Sequence, residues 1–335
     1  MELTTTSRRI SRRTGLAALG ATVALTLAAC GSGDDGVPGA DDTGSGDGAT
    51  TPISVGVIPI LDVAPIYLGV EKGFFEEQGL DVTLEPAQGG AAIIPGVTSG
   101  QYQFGFSNTT SLLLATDKEL GVKVVASGNQ ATDDPAKDMA GILVPADSDI
   151  TGPKDLAGKK VAVNTLNNIN TTTINKLVRD AGGDPSGIEY VELAFPDIPA
   201  AVASGDVDAG QVVEPFVTVG TGQGMTNIGS NYAGVEPGLQ VAMYFTSTDY
   251  AEQNPDVVEK FTTAMTESLS YAQEHEDETR AVLLTYTKID EEASQKVVLP
   301  QFGKDVDTES VQLLADLGTE DGLFGSAPDL SVLLP

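Results

Sequence analysis

One turn, written twice, constrains this chain more than any other feature. Ser99-Gly100-Gln101-Tyr102-Gln103-Phe104-Gly105 returns later as Ser204-Gly205-Asp206-Val207-Asp208-Ala209-Gly210. Ser54-Val55-Gly56-Val57, with the loop and helix that follow, is matched at the same offset to within one residue. Its counterpart is Lys160-Val161-Ala162-Val163, a Thr/Asn loop and a helix over 173–181. The segment 81–85 is matched in turn by 188–192. In both copies strand-length apolar runs alternate with helical stretches, which predicts parallel sheets covered by helices. Two βαβαβ units in register mean two similar α/β lobes.

Folding is expected to begin near Pro52, with a strand over 53–57 and a helix opened by Pro65 in its first turn. A strand over 80–84 follows, then Gly89-Gly90 leads into a helix over 91–98. A short strand over 102–106, a helix capped by Ser107-Asn108-Thr109 and a strand over 122–126 complete the first unit. Two further apolar runs, 141–144 and 241–245, read as paired crossover strands near a hinge. The first lobe is therefore placed at 52–141 plus 250–335 and the second at 142–249. The tail from Asn254 is mostly helical. Its apolar face of Val257, Val258, Phe261, Ala264, Met265, Leu269 and Tyr271 or Ala272 should pack back on the first lobe.

Ahead of the lobes, Arg8, Arg9, Arg12 and Arg13 precede an uncharged stretch over 15–29. That stretch is too short to span a bilayer but has the length of a signal-peptide core. It ends in Leu27-Ala28-Ala29-Cys30-Gly31, which looks like a bacterial lipobox, where cleavage precedes a cysteine that is then acylated. The expectation is a signal peptide over 1–29, lipidation at Cys30, and a disordered Gly/Asp/Ser/Thr tether over 30–51. This would anchor the protein on the extracytoplasmic face of the cell membrane. Ser11-Arg12-Arg13 also resembles a twin-arginine signal. Cys30 is the single cysteine, so the lobes hold no disulfide, thiolate metal site or cysteine nucleophile. With 48 acidic against 18 basic residues, a net charge of −30, the chain repels nucleic acid and anionic lipid. No nucleic-acid partner is expected, and the protein is read as a monomer.

Ligands of α/β sheets bind beyond the carboxyl ends of the strands. The loops placed there are 59–62, 88–90, 107–109, 165–168, 195–197 and 214–216, and the contacts expected within them are Ile60, Leu61, Gly89, Gly90, Ser107, Asn108, Thr165, Asn167 and Glu214. Several precede helices, where free backbone N–H groups and the helix dipole favour an oxyanion. Serine, threonine and asparagine in such places also serve as plain N-caps, and Gly89-Gly90 as a plain turn. Asp62 and Asp197 are read as caps, and Asp133, Asp134 and Asp138 as an acidic loop rather than a calcium loop. Glu214 follows an apolar strand and precedes Pro215; it either accepts from an amine or amide on a ligand or joins an ion pair within its lobe. His275, the one histidine, stands in an acidic helix face and is expected in solvent. It is badly placed for Ser-His-Asp chemistry, and the chain has neither a His/Cys zinc cluster nor a phosphate loop. No catalysis, cofactor or metal is expected.

Five stretches carry a resemblance to a known family: APIYLGVEKGFFEEQGLDVTLEPAQGG, VTSGQYQFGFSN, DLAGKKVAVN, VASGDVDAGQVVEPF and NPDVVEKFTTAM. They resemble the ABC-transporter solute-binding proteins for sulfonates, nitrate, taurine and thiamine-pyrimidine precursors. The resemblance implies a periplasmic-binding-protein-like fold, two lobes clasping a small polar solute, delivered to an ABC permease and its ATPase. By position in those motifs, the nine residues named above are the expected pocket. The cysteine-rich motif of the thiamine-pyrimidine-precursor synthases of this fold is absent. Two alternatives stand beside this reading. One is an enzyme on the same bilobal fold, and the other a sensory lipoprotein that presents its ligand to a receptor.

Overall fold

Two five-stranded sheets repeat one topology. The computed structural model describes residues 50–335; the expected leader over 1–29, Cys30 and nearly all of the tether lie outside the described residues. In the first sheet β1 (Thr51–Val57) is flanked by β2 (Leu80–Pro86) and β3 (Phe104–Asn108), both parallel to it. β4 (Val122–Gln130) forms one edge of that sheet. The second sheet comprises β5 (Ala140–Val144), β6 (Lys160–Val163), β7 (Glu189–Glu192), β8 (Ala209–Val213) and β9 (Thr226–Asn227). β10 (Gln240–Ser247) returns to the first sheet. The strand orders are β2-β1-β3-β10-β4 and β7-β6-β8-β5-β9. Val55 pairs with Leu84 and Val161 with Tyr190, the same sequence separation in both lobes. The repeat is thus a repeat of register as well as of sequence.

In each sheet the fourth strand runs antiparallel to its neighbours and comes from chain that has just crossed over. β5 pairs with β8 and β9, and β10 pairs with β3 and β4. This corrects the expected pairing of 141–144 with 241–245, and it moves the second boundary: β10 lies in the first sheet, so that lobe resumes at about Gln240 rather than 250. Both runs are apolar because both are interior strands buried on two faces. The segments that cross side by side are their neighbours. Ala131 N–H donates to the Leu239 carbonyl at 2.8 Å and Gly238 N–H to the Thr132 carbonyl at 3.2 Å. Asp138, expected in an exposed acidic loop, is buried and braces this crossing. Its carboxylate accepts from Thr132 N–H at 2.9 Å, the Ser230 hydroxyl and Ala233 N–H at 3.2 Å.

The tail packs on the first lobe as its periodicity predicts. Helix Pro255–Glu274 buries Phe261, Ala264, Met265, Leu269 and Ala272, and lies against helix Ala64–Lys72 and β4. The Phe261 ring stacks on Phe104 with centroids 3.9 Å apart, so truncating it to alanine costs about 3–5 kcal/mol. A later tail helix, Thr308–Glu320, touches both lobes through helices Thr109–Asp117 and Ile169–Asp180. There Arg179 of the second lobe meets Asp321 at 2.6 Å and lies 3.1 Å from Glu320, while Asn175 donates to Asp321 at 3.0 Å. His275 sits exposed between two tail helices, stacked on Tyr271.

Candidate ligand-binding cleft

The lobes meet at the carboxyl ends of β1, β3, β6 and β8, where a partly open cavity of about 20 Å³ lies between them. That is room for about one water, so the lobes stand nearly shut on each other. Its walls are apolar at Ile58, Ile60, Phe106, Ile169, Phe195 and Val241, and polar at Asp62, Asn108, Asn164, Asn168, Asn170 and Tyr232. Among the described residues no lysine, arginine or histidine lines it.

Of the expected residues, Ile60 and Asn108 line this cavity. Asn108 ends β3 and caps helix Thr109–Asp117, its side-chain oxygen accepting from Ser111 N–H at 2.9 Å. The same oxygen faces Ile169 N–H across the cleft at 3.4 Å, so one cap spans both lobes. Leu61 is buried beside the cavity, and its N–H donates to the Glu214 carbonyl at 3.0 Å, a backbone tie between lobes. Gly89 opposes Thr165: a Cβ on Gly89 would lie 2.7 Å from the Thr165 hydroxyl. Gly90 packs within its own lobe on Ser107, whose buried hydroxyl has no partner among the described residues.

Two expectations fail on geometry. Asn167 has a left-handed backbone (φ 53°), is exposed, and borders an outer groove with Thr171, Tyr190 and Asp321 rather than the cavity. Glu214 is buried but turned away from the cavity. Its carboxylate accepts from Thr218 N–H at 3.0 Å, the Thr218 hydroxyl at 2.9 Å and Val298 N–H at 3.2 Å. Burial nevertheless pushes its pKa up to about 7, against those three hydrogen bonds. The partners are internal, so Glu214 ties the end of β8 to the tail.

The asparagines that do reach the cavity flank the one that was expected. Asn164 ends β6 just beyond Val163, and Asn168 caps helix Ile169–Asp180 in a reciprocal capping box with Thr171. The Asn164 side-chain oxygen accepts from Asn168 at 3.0 Å and Asn170 at 2.8 Å, and Asn170 accepts from the Tyr232 hydroxyl at 2.7 Å. The signal for them was density: four asparagines stand within 164–170, ahead of three consecutive threonines. Asp62 also differs from its expected role. It lies inside the 3-10 turn Leu61–Val63, caps nothing, and is buried against the cavity with Asn129 donating to it at 3.1 Å. Burial, with Asp138 nearby, holds its carboxyl well above the usual carboxylate range, against the pull of Asn129. Asp197 is exposed and accepts no capping hydrogen bond.

Two α/β lobes of one topology, two crossings and a cavity at the facing strand ends define the periplasmic-binding-protein-like fold. The chain belongs to the NMT1/THI5-like family, whose model matches residues 61–279. It is 27% identical over 191 residues to the taurine-binding periplasmic protein of Escherichia coli (strain K12), covering 57% of each chain. It is 26% identical over 267 residues to the formylaminopyrimidine-binding protein of Halalkalibacterium halodurans, covering 78% of this chain and 75% of that one. The match thus spans little over half the length of the first of these relatives. Proteins named as 4-amino-5-hydroxymethyl-2-methylpyrimidine phosphate synthases also match. Among solved structures, the alkanesulfonate-binding protein SsuA of Xanthomonas axonopodis pv. citri superposes with a TM-score of 0.72 at 16% identity, over 85% of this chain and 98% of that one. Among the described residues no helix is long and apolar enough to cross a membrane.

Proposed function

We propose that the protein is the extracytoplasmic solute-binding component of an ABC importer, held to the membrane through lipid on Cys30. The observation that carries this is the cavity between lobes, lined by both, together with two side-by-side crossings that can act as a hinge. Family membership and relatives named as taurine- and formylaminopyrimidine-binding proteins support it. So does the chemistry of the walls, where a few polar groups converge on an apolar pocket, as small-molecule sites do. The solute enters as the lobes part and is released to the permease, with its ATPase, when they part again. The synthase-named relatives favour a second reading, an enzyme acting on a pyrimidine, which predicts a chemically altered product after incubation.

A thermal-shift screen of sulfonates, nitrate, taurine, amino acids, aminopyrimidines and amines tests the binding reading. A solute at a hundred times its Kd stabilises the folded state by about 2.7 kcal/mol. Bound solute should be recovered unchanged. A flat screen would remove this reading, and a converted product would favour the enzyme. For the anchor, Cys30→Ser should move the protein from the membrane fraction to the soluble one; retention of the variant in membranes would remove the lipid assignment.

A further inference from the structure

We propose that Asp62 is the charge partner of the solute, so that the cleft selects a small organic cation, a protonated amine or amidinium, over a bare anion. This rests on the solute-binding reading and narrows it.

The placement comes first. Asp62 follows β1 in the turn Leu61–Val63, at a strand end where both lobes converge, and it lines the cavity. Its exposure is 3%, yet among the described residues its carboxylate accepts one hydrogen bond, from Asn129. A carboxylate has about four acceptor sites, and a buried one is stable only when they are filled or its charge is matched. Asn129 adds to the imbalance, because its side-chain oxygen is buried without a partner among the described residues. The neighbouring amides do not relieve it: Asn168 and Asn170 spend donors on Asn164, and Tyr232 donates to Asn170. Tyr244, which interacts with Asp62, also buries a hydroxyl without a partner among the described residues, a single donor against the open acceptors of Asp62 and Asn129.

Charge points the same way. Asp138 is the other carboxylate acting on Asp62, and it raises rather than compensates the local negative potential. Among the described residues the lining includes no cation, and the whole chain carries −30. A cation entering the site would draw the proton from Asp62 and pair with the carboxylate, whereas a sulfonate or nitrate would oppose that ionisation in a site of low dielectric. A protonated amine or amidinium would supply both the missing donors and the missing charge. Phe106, Phe195 and Tyr232 contribute aromatic surface to the same cavity, which also favours a cation or a flat conjugated group.

The test pairs probes of similar shape and opposite charge on the purified protein: benzylamine and benzamidine against benzenesulfonate, ethylamine against ethanesulfonate, and nitrate alone. Isothermal calorimetry at neutral pH should show the cations binding at least tenfold tighter than their anionic partners. Asp62→Asn should then weaken cation binding at least tenfold while the melting temperature without probe holds or rises, because a neutral amide replaces a buried carboxyl whose ionisation is costly. A structural role for Asp62 predicts the reverse, a lower melting temperature and unchanged preference. The paired comparison on the unaltered protein stands even if the variant fails to fold. Anions binding more tightly than cations would overturn the assignment and leave the solute-binding reading intact. If neither series binds, the assignment falls, and with a flat solute screen the reading beneath it falls as well.

Discussion

Glu214 offers a quantitative check on this architecture, because its buried carboxyl should make stability depend on pH in a defined window. Its pKa in the folded protein is about 7, against an ordinary value of 4.5. A carboxyl whose folded pKa is raised binds its proton more tightly when folded. Its contribution is therefore fully present below about pH 4.5 and is lost as pH rises through 7. The shift corresponds to about 3 kcal/mol. Glu214→Gln removes the titration at a cost. The carboxylate serves Thr218 N–H on one oxygen and Val298 N–H on the other, so in either orientation an amide turns its NH2 toward one backbone donor. One N–H then goes unmatched, costing about 1–3 kcal/mol. Urea unfolding of both proteins at pH 5, 6, 7 and 8, at fixed ionic strength, gives the comparison. Asp62 titrates in both and cancels in the difference. The variant should be the less stable by about 1–3 kcal/mol at pH 5, with the gap closing or reversing by pH 8. A gap independent of pH would refute the reasoning. Solute affinity should change little, because the carboxylate does not line the cavity.

Two further outcomes follow from contacts across the cleft. In Gly89→Ala the new Cβ meets the Thr165 hydroxyl. Closure should weaken several-fold at an unchanged melting temperature, and adding Thr165→Ala should restore it; additive rather than compensating effects would show that the two do not touch. Arg179→Ala breaks the link between the second lobe and the tail at Asp321, worth about 1.5–3 kcal/mol for a hydrogen bond to a charged group. X-ray scattering should then give a larger radius of gyration without solute, and an unchanged radius would mean that the link does not restrain opening.

The two-lobed design was legible because the repeat sets register: matched strands pair with matched partners in both sheets. What could not be read is what depends on contacts distant in sequence. An apolar run such as 241–245 is buried on both faces in whichever sheet it joins, so its composition does not say which. Asp62 looks like a cap, since a helix follows, and only its contact with Asn129, far along the chain, reveals a buried carboxylate in the cleft. Glu214 carries the same local pattern whether it faces a ligand or folds back on Thr218 and Val298. Within 164–170 the residue type was informative and the position was not. The left-handed turn at Asn167 sends its side chain outward, while Asn164, Asn168 and Asn170 point inward.

The late return of β10 to the first sheet bears on the order in which the protein can be assembled. Every strand of the second sheet lies within 140–227, so that lobe can complete itself from one uninterrupted stretch. The first sheet has its gap between β3 and β4 filled only by 240–247, and Phe104 receives its stacking partner only at Phe261. On a chain emerging from its N-terminus, the lobe begun first is therefore finished last. Until then it presents two unpaired interior strand edges, the kind of surface that pairs wrongly with other chains. The domain that needs protection during synthesis is the one that appears earliest.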